Sequence, residues 1–246
     1  MLSLLVASSL ALALDPPALD PAPWQAVLTA HVDAAGRVDY AAVKASGALD
    51  GYLQAVAAAP LPQDKAQRIA LWINAYNALT VDLVADNWPL GSIMELDGGK
   101  VWDTRRFVVA GESLTLNELE HKRLRPITDG RIHAALNCAS KGCPALPRTA
   151  FDAATLDTQL SHAARAWASS NALVIDKTQG SVQVSRIFEW FAEDFTSGPH
   201  PAGTEGALGS ALAWIASYSN AEQAEYLRAG GFGTGWAEYD WKVNGR

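Results

Sequence analysis

The sequence has little charge: Asp, Glu, Lys and Arg make up 18% of its 246 residues, against about 25% in ordinary soluble domains. Its 19 Lys and Arg residues are outnumbered by 26 Asp and Glu residues and form no basic run. Such a chain lacks the positive surface that binds a phosphate backbone. It also has no hydrophobic run of the ~20 residues needed to span a bilayer. We therefore expect neither a nucleic-acid partner nor a membrane span in the mature chain.

Cysteine is scarce as well, with only Cys138 and Cys143 in the chain. A zinc site needs about four ligands in paired spacing. Two cysteines and five scattered histidines give no such pattern, so we expect no metal and no other cofactor. In an exported protein a cysteine pair suggests a disulfide, but the alternative of two free thiols stays open.

What the sequence does have is apolar residues, 49% of the total, and nine tryptophans. This apolar surface excludes intrinsic disorder, and so many indoles predict a firmly packed core.

The first segment differs from the rest of the chain. Residues 2–14 read LSLLVASSLALAL, an apolar run with the length of a signal-peptide core, and it contains an Ala11-Leu12-Ala13 cleavage site. No basic residue precedes it, and a core helix or strand is the alternative. We expect a signal peptide over 1–14, a Pro-rich linker over 15–23, one domain over 24–246, and a periplasmic or extracellular location.

The longest helical pattern runs from Asp64 to Asn87 and is apolar nearly all round, which predicts a buried helix with Trp72 and Tyr76 inside. Helices and short strands elsewhere do not alternate strictly, which indicates an α+β fold. We expect this long central helix to pack on a small, mainly antiparallel sheet, surrounded by further helices. A capping box at Thr115 predicts a helix start. Other expected elements are strands over 132–137 and 236–243 and a helix over 186–195.

Polar residues interrupt this apolar pattern at positions that suggest a site. Asn74 and Asn77 lie three residues apart on the long helix, and buried amides must be hydrogen-bonded. They either brace a neighbouring loop or line a polar cleft.

Cys138 follows an apolar segment and opens a turn of small and polar residues. The backbone N–H groups of residues 139–142 and the side chain of Lys141 would stabilise a thiolate there. A thiolate nucleophile also needs an imidazole, for which His121 and His133 are the local candidates, and Glu120 would orient the ring. The alternatives are an inert, buried Cys138 and ordinary surface or core histidines.

Five motifs in order resemble the family called domain of unknown function 547: WINAYN (72–77), LEHKRLR (119–125), RIHAALNCASKGCP (131–144), SRIFEWFAEDF (185–195) and YDWKVN (239–244). The resemblance implies that Glu120, His121 and Cys138 are the most general features. His133 belongs to the common bacterial form, and the second cysteine is replaceable by serine. It therefore implies that His121 ranks above His133 as the partner of Cys138. The fold is also similar to papain-like and transglutaminase-like folds, although their nucleophilic cysteine opens the central helix, which here contains no cysteine.

These observations favour an exported thiol-dependent hydrolase or acyltransferase that acts on a small molecule or peptide. Cys138 is the expected nucleophile, His121 the base, Glu120 its orienting group and His133 a second imidazole. The expected substrate-binding residues are Asn74, Tyr76, Asn77, Asn137 and Ser140. The first alternative is a non-catalytic domain that binds a ligand or protein in the same cleft, and the second is a thiol-redox role for the two cysteines.

Overall fold

The computed structural model describes residues 18–196 and 198–246. The expected signal peptide (1–14) and the first three residues of the expected linker lie outside the described residues. The helices are α1 (Ala22–His31), α2 (Tyr40–Ser46), α3 (Asp50–Ala58), α4 (Lys65–Asp86), α5 (Val101–Thr104), α6 (Leu116–Glu118), α7 (Ile132–Ala135), α8 (Leu156–Ala168), α9 (Ile187–Trp190), α10 (Gly206–Tyr218) and α11 (Ala221–Ala229). The strands are β1 (Arg106–Val109), β2 (Glu112–Thr115), β3 (Leu173–Asp176), β4 (Ser181–Val184) and β5 (Gly233–Trp236).

Helix α4 lies at the centre, as its apolar pattern predicts. The Asp64 side chain caps it by accepting a hydrogen bond from the Gln67 backbone N–H. From Ile69 to Ala85 the helix is buried at every position except Asp82. Trp72 and Tyr76 are buried, which confirms the expectation for both. A helix enclosed on all sides is a rigid base for the segments that pack on it.

Two small sheets lie among the helices and confirm the α+β class. Strands β1 and β2 form an antiparallel hairpin, in which Phe107 is paired with Leu114. In the second sheet β4 pairs antiparallel with β3 and parallel with β5. Helix α4 packs against α2, α3 and a π-helical turn over Leu119–Leu124, and reaches the first sheet at β1. Its closest neighbours are therefore mostly helices.

The buried residues form two adjoining clusters. The first surrounds α4 and includes α1 to α3 and the π-helical turn. The second packs Trp167 and Phe188 against Trp214 of α10, and it includes the buried residues of β4. Short helix α7 contributes Ile132 to the first cluster and Ala134 to the second, so it lies where the two meet.

Three segments differ from the sequence-based expectations. Residues 132–135 are helix α7 rather than a strand, because Ile132 and Leu136 make turn and helix hydrogen bonds and no neighbouring strand is available to pair with them in the described residues. Only the start of the expected 236–243 strand is sheet. The remainder is held instead by the Cys138 turn, through hydrogen bonds from Lys141 and Gly142.

The expected helix over 186–195 is the third difference. Helix α9 ends at Trp190, and a 3₁₀ turn follows over Ala192–Asp194. The break is at Phe191, whose backbone leaves the helical region with φ −121° and ψ 34°. The capping box at Thr115 is present as expected, but the helix that it begins changes to a π-helical turn after Glu118.

Candidate active site

The amides of α4 brace the segment that carries Cys138. Asn77 accepts a hydrogen bond from the Asn137 backbone N–H and donates one to the Ala135 carbonyl, both at 2.9 Å. Asn74 makes the same two-way contact with the backbone of Phe151. Neither amide lines the cavity that contains Cys138. Because their hydrogen-bonding groups are used by the backbone, the contacts favour the bracing role of Asn74 and Asn77 over the expected role in substrate binding.

Asn137 has a similar bracing role. Its Oδ1 accepts hydrogen bonds from the Ala139 backbone N–H at 2.9 Å and from Asn244 Nδ2 at 3.1 Å. Its Nδ2 donates to the Pro144 carbonyl at 2.8 Å. These bonds close the turn around Ala139, a buried residue with a left-handed φ of 62°. Asn137 thus shapes the turn from within and is not exposed to a substrate.

The turn leaves few backbone donors for a thiolate. The N–H groups of Ala139, Lys141 and Gly142 all donate to acceptors within the protein. Three of the four N–H groups of the expected backbone cradle over residues 139–142 are therefore already occupied. Gly142 has a different role: a Cβ there would lie 2.8 Å from the Tyr239 ring, so glycine lets that ring pack against the turn.

Cys138 and Cys143 form a disulfide in the structure. Both sulfurs lie 3.2 Å from the hydroxyl of Tyr239, and this hydroxyl is also 2.8 Å from Ser140 Oγ. Burial raises the pKa of Tyr239 to about 12, so the phenol keeps its proton at neutral pH. Ser140 is buried and reaches the site through Tyr239 and Cys138. In this state Cys138 has no thiol to ionise.

The disulfide forms part of the wall of a cavity of about 240 Å³. All four of the expected catalytic residues meet there, together with a set of aromatic side chains. The lining residues are Tyr76, Trp102, Asp103, Asn117, Glu120, His121, His133, Leu136, Cys138, Cys143, Ile187, Trp190, Phe191, Tyr239 and Trp241. The structure therefore brings Glu120, His121, His133 and Cys138 together, and Tyr76 is the one expected substrate-binding residue that joins them.

His133 is the imidazole that the protein holds most firmly. It is 3% exposed and packs on Phe191, with ring centroids 4.3 Å apart. Its Nε2 lies 2.7 Å from Asp194 Oδ2. Burial opposes ionisation of Asp194, but hydrogen bonds from His133 and Arg125 outweigh it and hold the pKa of Asp194 well below its usual range. Because the acceptor is a carboxylate, Nε2 carries a proton and donates it.

The other ring nitrogen of His133 faces Glu120, with Nδ1 3.7 Å from Oε1. Glu120 is therefore placed beside His133, and not in the orienting position on His121 that we expected. Tyr76 lies on the other side of Glu120: burial and the nearby Glu120 charge raise the pKa of Tyr76 well above its usual value. The result is a carboxylate–imidazole–carboxylate row of Glu120, His133 and Asp194.

His121 is exposed, and its Nδ1 lies 2.6 Å from the Arg125 guanidinium. An arginine never loses its proton, so Nδ1 is the acceptor in this contact and only Nε2 remains for other partners. Arg125 also binds Asp194 and Glu193, each at 2.6 Å. His121 is consequently less well placed than His133 to act as a base.

Sequence reasoning missed Asp194, Arg125, Tyr239 and the tryptophans of the cavity. All of them except Trp102 lie inside a motif that carries the family resemblance, so motif membership was an available signal for the others. What the sequence could not show is which of these side chains turn towards His133 and Cys138.

Two kinds of feature are absent from the part of the chain that the structure describes. Within residues 18–196 and 198–246, no group of three or more His, Cys, Asp or Glu side chains is arranged to hold a metal ion. Over the same residues, no helix has both the length and the apolar character to cross a membrane.

Comparison with known proteins supports the resemblance for the segment that holds most of the site. Residues 62–167 match the model of a family described as a protein of unknown function, DUF547. This range includes Glu120, His121, His133 and Cys138, whereas Asp194 and Tyr239 lie beyond it. Neither the curated proteins nor the solved structures gave a match.

Proposed function

We propose that this chain, which carries a domain of unknown function 547 over residues 62–167, is a thiol-dependent hydrolase or acyltransferase when Cys138 is reduced. The observation that supports it most is the hydrogen bond between His133 Nε2 and Asp194, in the same cavity wall as Cys138. A carboxylate that fixes one nitrogen of an imidazole and leaves the other beyond hydrogen-bond distance of its neighbour, as Nδ1 is at 3.7 Å from Glu120, is an arrangement that can activate a nucleophile. His133 thus takes the role of base that the sequence assigned to His121.

The chemistry starts with reduction. An external dithiol donates two electrons and two protons to the disulfide, which yields two thiols and the oxidised dithiol. His133 Nδ1 then accepts the proton of Cys138, and the thiolate attacks the carbonyl carbon of an ester or amide. The Tyr239 hydroxyl, protonated at neutral pH, is a hydrogen-bond donor for the negative charge. The leaving group departs with the proton from His133, and water or an acceptor then cleaves the thioester.

The test is the ionisation of Cys138 in the reduced protein. Replacing Cys143 with serine removes the disulfide without any reductant and keeps the turn similar in size. In Cys143→Ser we expect iodoacetamide to alkylate Cys138 with an apparent pKa clearly below the ~8.5 of a free thiol. His133→Ala in this background should return the pKa towards that value, because the stabilising imidazolium is lost. Peptide mapping by mass spectrometry gives the rate at each pH.

His121→Ala in the same background is the matched control and should change the pKa much less. A Cys138 that titrates at ~8.5 or above with both histidines present would overturn the proposal. So would a pKa that neither histidine substitution changes.

The second candidate is a binding domain without catalysis, which is favoured by the disulfide itself, because bonded Cys138 cannot act as a nucleophile. In that case the disulfide and the bracing amides keep the cavity in shape for a ligand. A folded, reduced protein whose Cys138 resists alkylation would favour this candidate over the first.

We also propose export to the periplasm or the outside of the cell. The apolar segment 2–14 and its Ala11-Leu12-Ala13 site support it, and a disulfide is stable in an oxidising compartment. Mass spectrometry of the protein from its native host should find an N-terminus between residues 14 and 23. Recovery of the chain with Met1 intact would refute export by cleavage.

A further inference from the structure

The cavity at Cys138 has a wall of aromatic rings that thiol chemistry does not require. Trp241 packs against Trp102, Trp190 and Tyr239, with ring centroids 6.3, 5.7 and 4.5 Å apart. Trp190 and Tyr239 are in contact too, at 4.9 Å. Trp190 nevertheless stays 45% exposed. Exposed aromatic groups of this size, placed beside a cavity, indicate that a ligand covers them.

Apart from two histidines, the charged side chains that line the cavity have one sign. Its charged lining residues are Asp103 and Glu120, and among the described residues that line it there is no Lys or Arg. Asp103 accepts a hydrogen bond from Asn117, a neutral partner. Glu120 is 12% exposed, lies beside Tyr76 and the His133 imidazole, and has no ion pair with a Lys or Arg among the described residues. A partly buried carboxylate without a fixed cation favours a positively charged ligand.

Aromatic faces and a carboxylate are together the two groups that recognise an organic cation, through cation–π and Coulomb attraction. The molecule already makes one such contact nearby, where the Arg125 guanidinium lies 5.1 Å from the centre of the Phe191 ring. The volume of about 240 Å³ is below the ~300–1,000 Å³ of pockets for drug-sized ligands, which indicates a small group.

We infer that this cavity binds an alkylammonium group, with the aromatic wall of Trp102, Trp190, Tyr239 and Trp241 around the alkyl carbons and Glu120 facing the charge. The inference rests on the proposed function only where it names the substrate: an ester or amide that carries an alkylammonium group next to the bond that the Cys138 thiolate attacks. Binding itself requires no thiol.

The experiment uses the oxidised protein, with the disulfide intact, so that no covalent chemistry takes place. Choline is compared with 3,3-dimethylbutan-1-ol, which has the same shape but no charge, by calorimetry and by tryptophan fluorescence. We expect choline to bind at least tenfold more tightly than the neutral alcohol, with an affinity that falls as NaCl is raised. Butylammonium in a parallel titration distinguishes a primary from a quaternary group.

Two substitutions test the two parts of the site. Trp190→Leu keeps an apolar side chain but removes the ring, and should weaken choline binding roughly threefold to tenfold. Glu120→Gln removes the charge and should reduce the preference for choline over the alcohol. Glu238→Gln, at an exposed carboxylate that does not line the cavity, is the charge-matched control and should leave the affinity unchanged.

Equal affinity for choline and the neutral alcohol would overturn the inference, as would no binding of any of the three probes at millimolar concentration. Because Trp190 is exposed, Trp190→Leu remains informative if Glu120→Gln does not fold. Choline binding together with an unreactive Cys138 would reject the thiol proposal alone. A low pKa of the Cys138 thiol without choline binding would reject the alkylammonium inference and leave the thiol proposal standing.

Discussion

Asp194 is the carboxylate that binds both Arg125 and His133, and its replacement with asparagine should damage the protein in a defined way. Its Oδ2 lies 2.6 Å from Arg125 Nε and 2.7 Å from His133 Nε2. Asparagine has the same shape, but its neutral amide oxygen is a weaker acceptor and its amide nitrogen would face another donor. Arg125 retains Glu193, and His133 retains the packing on Phe191.

The exposure of Asp194 and Arg125 determines how much stability Asp194→Asn should lose. A fully buried ion pair costs about 3–5 kcal/mol when one partner is removed, and an exposed pair about 0–1 kcal/mol. The side chains of Arg125 and Asp194 are 14% and 20% exposed, which lies between these limits. We expect Asp194→Asn to lower the free energy of unfolding by about 2 kcal/mol at pH 7. For a chain of this size that corresponds to a loss of roughly 4–8 °C in Tm.

The stability that Asp194 contributes changes with pH in a direction that follows from its lowered pKa. A carboxyl whose folded-state pKa is depressed contributes stability above its unfolded value of about 3.9, and loses it as the pH falls towards the folded value. The difference between wild type and Asp194→Asn should therefore be complete at pH 7 and pH 5, and should shrink below about pH 4.

Urea denaturation followed by tryptophan fluorescence measures this difference at each pH. The matched control is Glu193→Gln, because Glu193 binds the same guanidinium but is 71% exposed, so its loss should destabilise the protein much less than the loss of Asp194. The reasoning would be refuted if both variants had the same midpoint at pH 7. A deficit of Asp194→Asn that persisted unchanged at pH 3 would refute the electrostatic explanation.

Two further predictions concern α4. Asn77→Ala leaves a buried backbone donor and acceptor without partners, so it should lower the free energy of unfolding, measured by urea denaturation, by about 2–4 kcal/mol. The control Asn87→Ala, at the partly exposed end of the helix, should lower it by about 1 kcal/mol. Equal losses in the two variants would contradict the bracing role of Asn77. Burial, and then the charges of Asp86 and Asp50, raise the pKa of Asp82 to about 6. Ionisation of Asp82 therefore destabilises the fold progressively as the pH rises from the unfolded value of about 3.9 to the folded value, and the loss is complete above it. Asp82→Asn should therefore raise the urea midpoint at pH 8 but not at pH 4, and no gain at pH 8 would show that the raised pKa is wrong.

The elements that could be predicted from the sequence are those whose stability is local. Helix α4 has a capping residue, a continuous apolar surface and a proline after its end, and all three signals lie within the segment. Residues 132–135 could not be assigned in this way. Ile-His-Ala-Ala fits a strand or a helix equally well, and the helix forms because the segment is enclosed between two packed clusters.

The same distinction applies to the site. The sequence predicted which residues line the cavity, since Cys138, His133, Glu120 and His121 do line it together. It did not predict which side chains contact one another, because Glu120 contacts His133 across 13 positions of chain and Asp194 reaches His133 from another motif. Burial decided the roles of the asparagines, because an amide enclosed by backbone must satisfy that backbone first. Such partner choices depend on tertiary packing and leave no periodic signal in the sequence.

The break at Phe191 is the feature that connects the fold to both proposed properties of the cavity. In one continuous helix Trp190 and Asp194 would be four residues apart on the same face and would point to the same neighbours. The structure instead ends α9 at Trp190 and turns the chain, so that Trp190 packs on Tyr239 while Asp194 bonds to His133. The Phe191 ring fills the corner against His133. One local departure from helical geometry thus supplies the aromatic wall on one side and the fixed imidazole on the other, which a straight helix could not do.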